Sequence, residues 1–135
     1  MSGRILLVEA DVVLGAVLIE VLWHSGYEVI FEKTLLNGGG KQTDSIDVVI
    51  LDIDTTSPAK ELAWLDAAHP SPNLLPVVLL GLETPQDLRQ RQYMQFGNRQ
   101  RSGLTSVQKP FRNEELVAAV REAHEGYWPD QANGA

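Results

Sequence analysis

A doubly wound α/β fold, with a five-stranded parallel sheet and helices on both faces, is what this sequence of 135 residues predicts. Three observations carry the prediction. Short apolar runs, Ile5-Leu6-Leu7-Val8, Val48-Val49-Ile50-Leu51 and Pro76 to Leu80, show no polar alternation, so they read as strands buried on both faces. Helical signals separate successive runs, and no hairpin signal joins any two of them, which demands parallel pairing through crossovers. One chain of this length makes one domain with a substantial core.

The elements follow in order. Ile5 to Val8 is the first strand, and Glu9-Ala10-Asp11 marks its exit. Asp11 is placed to cap a helix over residues 12–24, which Ser25-Gly26 stops. Tyr27 to Phe31 is the second strand. The segment from Glu32 to Ser45 contains Asn37-Gly38-Gly39-Gly40 and supports no stable helix, only a turn around Thr34 to Leu36, so the second helix is degenerate. Asp47-Val48-Val49-Ile50-Leu51-Asp52 is the third strand with its two bounding acids. Ser57-Pro58 starts a helix that runs to about Ala68, with Leu62 and Leu65 on its apolar face and His69-Pro70 as its stop.

Pro76 to Leu80 is the fourth strand. Thr84-Pro85-Gln86-Asp87 opens a helix reaching about Phe96-Gly97. Leu104 to Gln108 is a weak fifth strand, and Asn113 to Glu125 is the last helix, buried along Leu116, Ala119, Val120 and Ala123. The domain spans residues 1–126, and 127–135 is a tail or the start of a linker. At this length the flavodoxin-like strand order is the natural solution.

Composition excludes several functions. There is no cysteine, hence no disulfide, thiolate ligand or thiol nucleophile, and three histidines at 24, 69 and 124 are too scattered for a metal cluster. A net charge of −7 argues against direct nucleic-acid binding. No stretch approaches the roughly 18 to 20 apolar residues of a membrane span, and no signal peptide is visible at Met1 to Arg4, so a cytoplasmic protein is expected. The acidic excess lies wholly in the first half: residues 1–66 hold 11 acids and 4 bases, residues 67–135 hold 7 of each.

Three strand exits carry polar chemistry: Glu9-Ala10-Asp11, Asp52, and Lys109 within Val107-Gln108-Lys109-Pro110-Phe111. Open α/β sheets bind ligands at the carboxyl ends of their strands, so these groups form the expected site. Taken with the spacing of the elements, they make the sequence resemble the receiver domains of two-component response regulators over residues 4 to 125. The resemblance implies a flavodoxin-like receiver, (βα)5, that is not an enzyme. It implies Asp52 as the phosphoacceptor of a partner histidine kinase or other signalling protein, and Lys109 as the cation that contacts the phosphoryl group. It also implies Mg²⁺ held by Glu9, Asp52 and the backbone carbonyl of Asp54, and a cis bond before Pro110.

Departures from the pattern accompany the matches. Ala10 stands where the second metal-directed acid belongs, Gly81 replaces the hydroxyl of the fourth strand, and Ser106 replaces the aromatic of the fifth. Thr55-Thr56 replaces the usual Met-Pro, and extra length falls near Gly97 to Gly103. The expectation is an atypical receiver with weakened Mg²⁺ binding and switching. The other reading is a phosphorylation-independent pseudo-receiver that serves as a protein-interaction or dimerisation module. A flavin- or nucleotide-binding enzyme is disfavoured, because no Gly-rich phosphate loop follows the first strand.

The first helix adds a surface signal. Leu14, Val17, Leu18, Val21 and Leu22 make a face expected to lie on the sheet. Val12, Ala16, Ile19 and Trp23 make a second stripe, expected either to form a homodimer or partner contact or to be covered by the tail with Tyr127 and Trp128. Arg89, Arg91, Arg99 and Arg101 cluster around the helix that follows the fourth strand, as a solvated face or as contacts for an acidic partner.

Overall fold

Five strands pair in the order β2-β1-β3-β4-β5, every neighbouring pair parallel. They are β1 (Arg4–Val8), β2 (Glu28–Glu32), β3 (Val48–Asp52), β4 (Val77–Gly81) and β5 (Leu104–Gln108). Among the described residues three helices accompany them: α1 (Val12–His24), α2 (Pro58–Ala68) and α3 (Asn113–Glu125). These assignments come from a computed structural model that describes residues 3–36, 45–68, 75–83 and 104–125. The expected helix from Thr84, the four arginines around it, the Gly38-Gly39-Gly40 run and the tail after Glu125 lie outside the described residues.

The sequence predicts most boundaries to within a residue; β2 and β4 each begin and end one residue later than the apolar runs suggest. Their last residues, Glu32 and Gly81, carry no apolar signal, yet each pairs in register with a neighbour, Val8 with Glu32 and Gly81 with Gln108. All residues of β3 and β4 are buried, as central strands must be with both faces covered. β2 and β5, the sheet's edges, are largely half-buried.

The alternation of side chains sorts the core into two layers. Ile5, Leu7, Ile50, Val78 and Leu80 face α1 and α3, where they meet Leu18, Leu22, Leu116 and Val120. Leu6, Val8, Val49, Leu51 and Leu79 face the other way, onto Leu62 and Leu65 of α2 and onto Leu35. The predicted stripe of α3 is buried throughout.

The caps of α1 are those its sequence predicts. Asp11 Oδ1 accepts from the N–H groups of Val13 (3.0 Å) and Leu14 (3.1 Å). At the other end Tyr27 N–H donates to Leu22 O and Gly26 N–H to Trp23 O, a Schellman closure whose left-handed residue, Gly26 at φ 93°, needs to lack a Cβ.

Two assignments on α1 are corrected. Val17, expected on the sheet, is 52% exposed, and Ile19, expected on the outer stripe, is half-buried against the core. The reason is Gly15. Its Cα side lies so close to the Phe31 ring that a Cβ would sit 2.7 Å from it. The helix therefore rests on Gly15, Leu18 and Leu22, which turns Ile19 inward and Val17 outward. Val12, Ala16 and Trp23 are exposed as expected.

Candidate functional site at the carboxyl ends of the strands

Strand order reverses between β1 and β3, and in such sheets the crevice above the reversal is the binding position. Register then decides which side chains meet there. Val8 pairs with Leu51, so Glu9 stands level with Asp52. Asp52 pairs with Leu80 and Leu80 with Val107, so Lys109, two residues beyond Val107, shares the face of Asp52. Three residues far apart in sequence thus reach one point.

Lys109 Nζ donates to Asp52 Oδ2 at 2.6 Å. Asp52 is fully buried, and the lysine side chain is 18% exposed. Burial by itself would raise the Asp52 pKa; hydrogen bonds shared with Glu9, donated by Lys109 and donated by the Asp54 N–H outweigh it and hold the carboxyl below its ordinary value. Burial would likewise lower Lys109, but Asp52 and Asp54 keep it raised and charged. The Lys109–Pro110 bond is cis.

Glu9 is the other fully buried acid of the site. Its Oε2 accepts from Asp11 N–H at 3.0 Å and from the Thr55 hydroxyl at 2.8 Å. Its Oε1 is buried with no hydrogen-bond donor among the described residues. Burial, together with the neighbouring Asp52 carboxylate, pushes Glu9 up to about 7.

Asp54 is present through more than its backbone. Its N–H donates to Asp52 Oδ1 at 2.8 Å. Its carboxylate accepts from Leu82 N–H at 3.0 Å and lies 3.4 Å from Lys109 Nζ. Only the carbonyl of this residue is expected from the resemblance; the role of its side chain, and that of the Thr55 hydroxyl, have no signal in spacing alone. Both become predictable once β1 and β3 are known to be neighbours, because the loop after β3 must then pass beside Glu9.

The departures have structural counterparts. Ala10 offers no side-chain ligand, and Asp11 is committed to capping α1. Gly81 leaves room that Ile53 fills: a Cβ on Gly81 would lie 2.6 Å from Ile53 Cγ1. Among the described residues no group of three or more histidine, cysteine or acidic side chains is disposed to hold a metal. No helix among them is long and apolar enough to cross a membrane.

No family model matches the chain, and no curated protein matches it. Solved structures do. A response regulator receiver domain protein from Clostridium thermocellum superposes with a TM-score of 0.70 at 20% identity, over 92% of this chain and 95% of that one. The chemotaxis protein CheY4 of Vibrio cholerae gives 0.73 at 17% identity, over 91% and 99%. NtrX from Brucella abortus, solved with ADP, gives 0.75 at 20% identity and covers 99% of this chain but 29% of its own. At these identities the likeness establishes the fold, which is that of receiver domains.

Proposed function

We propose that the chain is a receiver-type signalling domain, not an enzyme, whose Asp52 accepts a phosphoryl group from a partner histidine kinase. One observation carries the reading: a fully buried, ionised Asp52 held at 2.6 Å by Lys109, at the crevice where the strand order reverses. Burying an acid and a lysine together costs solvation that a hydrophobic pair would not lose, so the pair calls for an explanation beyond stability. In the transfer an Asp52 oxygen bonds to phosphorus while the P–N bond of the donor phosphohistidine breaks, its electron pair leaving on the imidazole. Lys109 offsets negative charge on the transferred group as a point cation.

The donor set suits Mg²⁺, though sparingly. Glu9 Oε1 is a buried oxygen without a donor, Asp52 is held ionised, and Asp54, whose carbonyl the resemblance points to, lies two residues beyond Asp52 on the loop after β3. Bound there, the ion would supply charge neutralisation to the phosphoryl oxygens. Two carboxylates and a carbonyl leave the remaining positions to water, which is how Mg²⁺ is commonly held. Without a second acid at Ala10, binding is expected to be weak.

The test is incubation with acetyl phosphate and Mg²⁺ followed by intact mass. A single phosphoryl adduct that is absent in Asp52→Asn supports the reading; no adduct at saturating Mg²⁺, in the parent chain and in Asp54→Asn and Asp54→Ala alike, overturns it.

A second reading has its own observation. Val12 (51% exposed), Val13 (76%), Val17 (52%) and Trp23 (64%) leave an apolar surface on α1. It supports a phosphorylation-independent pseudo-receiver that binds a protein partner or a second copy through this helix. Val17→Glu with Trp23→Glu should reduce the mass in solution if the surface joins two copies; an unchanged dimer would remove α1 from the contact.

A further inference from the structure

The Lys109 ammonium donates to the Asp52 carboxylate, and the Leu82 backbone N–H stands just past the end of β4, the strand that pairs with β3 and β5. Both are already engaged by Asp54. Its Oδ2 accepts from Leu82 N–H at 3.0 Å and stands 3.4 Å from the same Lys109 Nζ that donates to Asp52 at 2.6 Å. The Asp54 N–H closes the arc by donating to Asp52 Oδ1 at 2.8 Å. The bare backbone at Gly81 permits this fold of the loop. A Cβ there would lie 2.6 Å from Ile53 Cγ1, so a side chain at 81 would have to displace the Ile53 side chain that packs beside Asp54, whose Oδ1 would be in ordinary contact at 3.7 Å.

We infer that Asp54 is a resident anion of the site, a carboxylate of the chain itself that occupies the donors a phosphoryl group on Asp52 would need. This inference rests on Asp52 being the phosphoacceptor. An acyl phosphate carries nearly two negative charges and three acceptor oxygens. It needs donors at once, and it repels any carboxylate already in place. The Leu82 N–H bond to the Asp54 carboxylate is charge-assisted, and the Lys109 ammonium attracts the same carboxylate from 3.4 Å, so displacing Asp54 costs driving force. Asp54 thereby keeps the Leu82 N–H and the Lys109 ammonium engaged in the unmodified site and resists its modification. The contact acts as an autoinhibitory latch, which a productive partner would have to open by turning Asp54 outward.

Asp54→Asn tests the charge with almost unchanged shape, and Asp54→Ala removes the group. With acetyl phosphate and Mg²⁺, adduct formation should speed up by about fivefold in Asp54→Asn and about tenfold or more in Asp54→Ala, in keeping with loss of charge-assisted bonds. The gain should vanish when Asp52→Asn is added. Adduct in the variants where the parent shows none is the strongest supporting result. Equal or slower formation in both variants, with the parent reacting, overturns the latch and leaves Asp52 as phosphoacceptor. No adduct in the parent or either variant, all shown folded by thermal melting, overturns the phosphoacceptor reading and the latch together.

Discussion

Asp52 Oδ2 and Lys109 Nζ, separated by 57 residues of chain, lie 2.6 Å apart beneath the surface at the carboxyl ends of β3 and β5. Removing one partner of such a pair leaves the other charged and buried, whereas removing both does not. Lys109→Met is therefore expected to cost about 3 kcal/mol of stability. Asp52→Asn in the Lys109→Met background should recover a good part of it. Urea denaturation of the two single variants and the double variant gives the coupling directly, and additive losses would show that the pair contributes nothing.

Glu9 makes stability depend on pH with a definite sign. Its folded pKa of about 7 lies above the ordinary carboxyl value, so the stability it contributes is full below that ordinary value and is lost as pH rises through 7. Asp52, held low, acts oppositely and loses its contribution only in acid. Metal-free protein should accordingly be less stable at pH 8 than at pH 5, by up to about 3 kcal/mol for a shift of this size. Glu9→Gln should flatten the profile. Mg²⁺ should also flatten it, since a cation favours the ionised acid. Chemical denaturation across that range, with and without Mg²⁺, checks all three.

Restoring a hydroxyl to the end of β4 needs more than one substitution. Gly81→Ser places a Cβ against Ile53 and should cost about 1 to 3 kcal/mol, as overpacking does. Ile53→Ala in the same chain should relieve much of that cost. A single Gly81→Ser variant with parental stability would show that the loop after β3 moves aside freely.

Glu61 is a buried acid away from the site. It accepts from Leu35 N–H at 2.7 Å and from the Thr34 hydroxyl at 2.6 Å, fastening the segment after β2 to α2. Glu61→Ala leaves a buried N–H without its acceptor and should cost about 2 kcal/mol. Thr34→Val, which removes one of the two bonds, should cost less. Thermal unfolding of both variants ranks them.

On α1 the exposure pattern separates two apolar residues that look alike in sequence. Ile19 packs on the core and Val17 faces outward. Ile19→Glu should destabilise the fold by about 1 to 3 kcal/mol, since it loses apolar packing and sets a charge against the core, while Val17→Glu should stay within about 0.5 kcal/mol. Equal losses would mean that the outward face is covered in solution.

Local sequence determined the elements themselves. Unbroken apolar runs between turn signals marked the central strands β1, β3 and β4, Asp11 and Gly26 set the ends of α1, and the spacing of Leu116, Ala119, Val120 and Ala123 set the buried face of α3. The polar strand exits pointed to Glu9, Asp52 and Lys109 because open α/β sheets bind ligands at the carboxyl ends of their strands.

What only the tertiary structure decided are the relations between elements. Register across β1, β3, β4 and β5 brought the three groups to one point and gave them their opposed proton affinities. Close approach of Gly15 to Phe31 set the rotation of α1, which an all-apolar helix leaves undetermined because every face can be buried. The Asp54 carboxylate meets Leu82 and Lys109 because β3, β4 and β5 end side by side. Each of these is a contact between residues distant in the chain. Local propensity carries no record of such contacts, and a parallel sheet creates them all at once when its strands come into register.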